Sequence, residues 1–407
     1  MQIKKLTAIL LAATILFFSL PAAVSAEDSG KNRIKNVIFM IGDGMGENHL
    51  ELAKQEGYTL FMEDNCDLRG QSKTRSTSEV TDSAAGATAL SCGIRTDNKC
   101  LCVYADDHTG AVSYPTIITE VAIRRGMKTA IVTTDKTSGA TPAGFSVHVK
   151  KRSLAAEITE KQLASDIDFI WGAKESEASR EDVEAAGFKY ITDKDAMNAL
   201  APGERSFAQF DGITWPTETD PKDNVPTLAE MTVKALELLD ADNENGFYIM
   251  IEGAHIDKNS HRDSEGPDYP RKVADTANAV KGFDNAIKAA VEFARADGHT
   301  LVVVTADHET GDLYFDNGRY TFHSGSHTAA NVPVLVYGCD DLFAQGEAVD
   351  NMSIPIRIAA KLGWSDTDFP ERNYSPIRDM ILPYLTKLIA SIQRILRVIG
   401  IGAKVGV

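Results

Sequence analysis

Six residues of the 407-residue chain combine carboxylates and imidazoles in a pattern suited to divalent cations. Asp257 and His261 are four apart, so a helical turn would place them on one face. With His327 they make one three-ligand set. Asp43, Asp307 and His308 make a second. Carboxylate oxygen and imidazole nitrogen are good zinc ligands, and a catalytic site keeps one position open beyond about three protein ligands. Two such cations ~3.5–4 Å apart hold the attacking and the leaving oxygen of a phosphoryl group together. A nucleophile candidate, Ser83, lies in Thr81-Asp82-Ser83-Ala84-Ala85-Gly86-Ala87-Thr88-Ala89, a run of small residues that reads as a helix start. A helix N-terminus offers free N–H groups to a phosphate, and small side chains let it approach. From these residues alone, Ser83 reads equally well as a capping residue.

The elements that must present these groups are short apolar, β-branched runs: Val37–Ile41, Thr129–Thr133, Phe247–Ile251, Leu301–Thr305 and Val332–Tyr337. Continuous runs of this kind fit strands covered on both faces, as in a parallel sheet. Helical periodicity lies between them, most clearly from Val273 to Ala294, closed by Gly298. Alternation of this kind predicts an α/β fold, and ligands in such folds sit outside the carboxyl ends of the strands. Asp43 follows the first run, Glu252 and Asp257 follow the third, and Asp307 and His308 follow the fourth. His327 comes just before the fifth. The segment from about Ser153 to Pro226 is more polar and weakly periodic, and is expected to decorate the sheet rather than extend it.

Composition bounds the rest. The chain is 43% hydrophobic and 25% charged, which predicts a globular body with a large core. Residues 1–26 read as a secretory signal peptide: Lys4 and Lys5, the apolar run Leu6–Leu20, then Val24-Ser25-Ala26 before Glu27. The competing reading is an uncleaved anchor. The expectation is therefore an exported protein with a catalytic domain over 27–376. The formal charge of −16 argues against a nucleic-acid partner, because an acidic surface repels phosphate backbones. Cys66, Cys92, Cys100 and Cys102 cluster in sequence, so one or two disulfides are plausible, and the odd fifth, Cys339, leaves a thiol over. Residues 377–407 form a basic amphipathic tail. Leu385, Leu388, Ile389, Ile392, Ile395, Leu396 and Ile399 lie on one face, with Lys387, Arg394 and Arg397 off it. Such a helix can lie on a membrane surface, but packing on the body or on a second subunit is favoured.

Taken together, NVIFMIGDGMG, TDSAAGATAL, ATPAGFSVHVKKR, IEGAHIDKNSH, VVVTADHETG and HTAANVPVLVYG resemble the alkaline phosphatase family, in family order from about Asn36 to Gly338. The resemblance implies a three-layer α/β/α sandwich with a mostly parallel central sheet, hydrolysing small phosphate monoesters through a phosphoserine at Ser83. It implies two Zn2+, one on Asp257, His261 and His327, the other on Asp43, Asp307 and His308. It implies one Mg2+ on Asp43, Thr141 and Glu252. Arg152 matches the arginine that grips phosphate, Asp82 the carboxylate that orients it, and Lys258 a position that reaches the phosphate or the third metal through water. A homodimer is a family expectation.

Two features depart from the family pattern. Gly139 stands where relatives carry Asp or His tuning the third metal, leaving the identity of that ion open. Only 18 residues separate His308 from His327, so the chain should be compact, with little or no crown subdomain and a more open site. Of the other histidines, His148 reads as supporting, His323 as an alternative ligand, and His255 and His108 as structural. Asp240, Asp242 and Glu244 read as a solvated turn. The competing functions are a diesterase or other ester hydrolase of the same superfamily, and a secreted metal- or phosphate-binding protein without catalysis. Ser83, Arg152, Thr141 and Glu252 together favour monoesters.

Overall fold

The computed structural model describes residues 34–370, apart from 106–111, 176, 212–216, 218, 263–267 and 366–367. The leader, the amphipathic tail and His108 lie outside the described residues. One ten-stranded sheet organises the chain. Its strands, numbered along the sequence, are β1 (Asn36–Gly42), β2 (Leu68–Lys73), β3 (Lys128–Lys136), β4 (Phe169–Ala173), β5 (Lys189–Ile191), β6 (Ser206–Phe210), β7 (Phe247–Gly253), β8 (Thr300–Thr305), β9 (Val332–Tyr337) and β10 (Ala348–Asp350). Their order across the sheet is β10-β2-β9-β8-β1-β7-β3-β4-β6-β5.

Side chains of a strand alternate between faces, and here each face meets its own apolar layer. Ile38 and Met40 of β1 pack with the helices Leu228–Asp240 and Tyr269–Asp297. Val37, Phe39 and Ile41 pack with Val121, Ala87 and Ile358 on the other side. Every residue of β1 is buried, which is why the run shows no polar alternation. Phe39 is fully buried, so Phe39→Ala would cost about 3–5 kcal/mol. The architecture is thus a compact three-layer α/β sandwich. The long helix Tyr269–Asp297 ends at Gly298 in the left-handed region, as its periodicity predicted.

The sheet is mostly parallel, as expected. Within it β9 is antiparallel to both β8 and β2, although its run reads like those of the parallel strands. One expectation needs correction. The region Ser153–Pro226 does extend the sheet, since β4, β6 and β5 form its far edge. Those strands are only five, five and three residues long, and polar connections hide their periodicity. Between His308 and His327 the chain forms a small hairpin, Leu313–Asp316 with Arg319–Phe322. Among the described residues no helix is long and apolar enough to cross a membrane.

Candidate active site

The carboxyl ends of β8, β1, β7 and β3 lie side by side, and each leads into a candidate residue. Ile41 pairs with Thr305 on one side and Glu252 on the other, so Asp43, Asp307 and Glu252 leave neighbouring strands at one edge. Because β9 runs the opposite way, its beginning reaches that same edge. His327, just before β9, therefore joins residues that follow the other strands. The helix His255–Ser260 starts beyond β7 and carries Asp257, with His261 as its C-cap.

Donor atoms of the first predicted set converge. His261 Nε2 lies 3.2 Å from Asp257 Oδ1 and 3.0 Å from His327 Nε2, and His327 Nε2 lies 3.6 Å from Asp257 Oδ1. His261 Nδ1 donates to the Gly325 carbonyl at 2.7 Å, and His327 Nδ1 to the Thr81 carbonyl at 3.0 Å. A carbonyl can only accept, so each Nδ1 carries the hydrogen. In their neutral forms the two rings would point bare Nε2 lone pairs at each other, and the hydrogen bond to Asp257 holds His261 above its ordinary value. That arrangement calls for a proton or a cation between them.

The second set is buried. His308 Nε2 lies 3.2 Å from Asp307 Oδ2 and 3.6 Å from Asp43 Oδ1. His308 Nδ1 faces Thr310 Oγ1 at 3.2 Å, and Thr310 in turn donates its hydroxyl hydrogen to Asp257 Oδ1. Thr310 must then accept from His308, which again leaves Nε2 bare. Asp43 Oδ1 and Asp307 Oδ2 are buried with no hydrogen-bond partner. Unpaired buried carboxylate oxygens are costly unless a cation or proton meets them. Burial and the neighbouring Asp307, Asp257 and Glu252 carboxylates push Asp43 well above its ordinary value. Burial and Asp257 push Asp307 up to about 6, and burial pulls His308 down to about 4. His308 and His327 stack at 3.6 Å, so Asp257, His308 and His327 also come within 4.8 Å of one another. The single free nitrogen of His308 faces Asp307 and Ser83, however, which places it with the second set.

Ser83 opens the helix Ser83–Cys92, capped by Asp82, whose side chain accepts from the Ala85 amide at 3.1 Å. Ser83 Oγ lies 3.2 Å from His308 Nε2. The helix is buried along its length and presses against the ligand loop: a Cβ on Gly86 would come within 2.9 Å of Asp307 Cβ. Asp82 also accepts from the Lys99 amide at 3.0 Å and from Arg152 Nη1 at 3.2 Å. The fields of Asp82 and Asp43 offset burial at Arg152 and hold its guanidinium above its usual value.

The third group gathers beside Asp43. Thr141 Oγ1 and Glu252 Oε1 are buried without a partner, while Glu252 Oε2 accepts from Thr133. Burial and Asp135 push Glu252 up to about 8. Lys258 is ion-paired with Asp135, a residue the sequence reading passed over. Thr310 was passed over too, although it sits inside VVVTADHETG. His323 stacks on Tyr314 at 3.7 Å. His255 Nε2 meets the Thr134 carbonyl at 3.2 Å. The disulfide expectation is not met: all five cysteines are free, with Cys92 and Cys102 buried around Ser91.

A model of the family described as alkaline phosphatase matches residues 34–170 and 165–337. Alkaline phosphatase 3 of Bacillus subtilis is 33% identical over 356 residues, covering 80% of this chain and 74% of that protein. The alkaline phosphatase of the Antarctic bacterium TAB5 superposes with a TM-score of 0.69 at 31% identity, over 83% of this chain and 100% of that one. A variant of the TAB5 enzyme with magnesium bound in its M3 site superposes with a TM-score of 0.67 at 30% identity, over 83% and 100% of the two chains.

Proposed function

Because the chain belongs to the alkaline phosphatase family, and so is a phosphatase acting on phosphate esters, we propose that it hydrolyses phosphate monoesters through a phosphoserine at Ser83. The observation that carries this reading is the contact of Ser83 Oγ, at a buried helix N-terminus, with His308 Nε2 beside two orphaned carboxylate oxygens.

The residues fit divalent cations. Asp257, His261 and His327 would hold one zinc; Asp43, Asp307 and His308 would hold another. Asp43, Thr141 and Glu252, each with an unpartnered buried oxygen, would hold magnesium. Oxygen-only ligands suit that harder ion. Bound there, the cations supply Lewis-acid stabilisation of the attacking and leaving oxygens and lower the pKa of a water.

The chain's own groups do the rest. A serine hydroxyl is a weak nucleophile until its proton is lost; His308 Nε2, 3.2 Å from Ser83 Oγ, would hold the second zinc beside that oxygen, where the alkoxide would be favoured and the proton would pass to water. Ser83 Oγ attacks phosphorus, the ester bond breaks, and the alcohol leaves. Water then cleaves the phosphoserine to return Ser83 and inorganic phosphate. Arg152, oriented by Asp82, presents a planar fork to two non-bridging phosphate oxygens, which Lys would not reproduce. Free amides at the start of Ser83–Cys92 add partial positive charge. Export through residues 1–26, with the catalytic body over 27–376, belongs to the same proposal.

Ser83→Ala tests it. Aryl phosphate turnover should fall by at least ~10³-fold while zinc content stays the same. Unchanged turnover would remove Ser83 as nucleophile. A preference for the matched diester would instead place the chain in a neighbouring branch of the superfamily.

A further inference from the structure

Gly139 precedes the helix Ala140–Gly144 with φ −55° and ψ 160°, a conformation open to any residue. Its backbone does not require glycine; its surroundings do. A Cβ at this position would fall 2.4 Å from Asp135 Oδ2, 2.8 Å from Asp135 Cγ and 2.9 Å from the Lys136 carbonyl oxygen. The Asp135 carboxylate fills the space that a side chain at 139 would need.

Asp135 is also wired to the group beside Asp43. Its Oδ1 pairs with Lys258 Nζ. Its amide donates to Thr133 Oγ1 at 2.8 Å, and that hydroxyl donates to Glu252 Oε2. Its charge acts on Glu252, Lys258 and Arg152. The loop that follows is held firmly. Glu175 accepts from the Ser138 amide at 3.1 Å and from the Thr137 and Ser138 hydroxyls, and Gln162 Nε2 donates to the Thr137 carbonyl at 2.8 Å. The gap at Gly139 and the carboxylate that enters it are thus fixed relative to each other.

We infer that Asp135 is the positioning carboxylate of the third cation pocket, reaching from the end of β3 into the space left by Gly139 and fixing Lys258 there. The inference rests on the proposed reading of Asp43, Thr141 and Glu252 as that pocket. Magnesium keeps several of its waters, and those waters donate to carboxylates that are not ligands. An outer carboxylate can therefore set affinity without touching the ion.

The experiment is a calorimetric titration of magnesium into the zinc-loaded full chain. Asp135→Asn keeps the shape and removes the charge. It should weaken magnesium binding by ~10–100-fold with zinc content unchanged. The relocating pair Asp135→Gly with Gly139→Asp should recover binding to within several-fold, which a purely structural role for Asp135 would not allow. An Asp135→Asn protein that binds magnesium within twofold of the unaltered chain would overturn the inference and leave the pocket standing. An unaltered chain that takes up no magnesium would remove the pocket itself, and the inference with it.

Discussion

The two ends of the helix Ser83–Cys92 are both polar and both enclosed, yet they are built on opposite terms. At the start, Asp43 and Asp307 keep buried oxygens without partners, and like charges face one another. At the end, the polar groups around Ser91 answer one another. Ser91 Oγ meets both Cys92 and Cys102 Sγ, Cys102 Sγ faces the Gly144 carbonyl at 2.9 Å, and His148 bridges the Cys102 carbonyl at 2.7 Å and Glu120 at 3.0 Å. Buried polarity by itself therefore does not mark a binding site. Unanswered polarity of one sign does, because folding leaves it destabilised until something from outside arrives.

The largest effect should come from breaking the unanswered end. Asp43→Asn removes an oxygen charge assigned to two cation positions, so phosphatase activity should fall by more than ~100-fold. The same change relieves repulsion, so the metal-free protein should become more stable, by about 1 kcal/mol in denaturant unfolding. Loss of both activity and metal-free stability would break the comparison.

A pH series on metal-free protein should come next in size. Glu252, raised to about 8, disfavours the fold as it ionises, a penalty that grows from about pH 4.5 to pH 8. His308, lowered to about 4, works the other way only up to its ordinary value near 6.5. His148 is raised to about 9, since its hydrogen bond to Glu120 outweighs burial, and its stabilisation is lost as pH rises through that value. Unfolding free energy should therefore drop between about pH 6.5 and 8.5, on the order of 1–2 kcal/mol. Magnesium should cancel the part of the drop that comes from Glu252, because the deprotonated carboxylate is what it binds, and leave the part from His148. A flat profile without metal would remove the like-charge account.

The smallest effect belongs to the answered end. His148→Ala should lower stability by about 1 kcal/mol, discounted because Glu120 is partly exposed. Its turnover number should be unchanged. A loss of turnover at constant metal content would show that the far end of the helix reaches the chemistry.

Much of this site could be read before any fold was known, because strand ends and helical spacing are local. Asp257 and His261 sit one helical turn apart in the structure as in the sequence. Asp82 caps the helix that Ser83 begins. The apolar runs mark five of the ten strands, because burial on both faces leaves no polar alternation to obscure them. Other matters were decided only in three dimensions. Which strands are neighbours depends on backbone hydrogen bonds between distant segments, and those bonds carry no side-chain signature. So β9 could run backwards and deliver His327 to the right edge without its sequence showing it. For the same reason Asp135 fills the gap at Gly139 from four residues upstream: the turn after β3, not the order of residues, brings the two together.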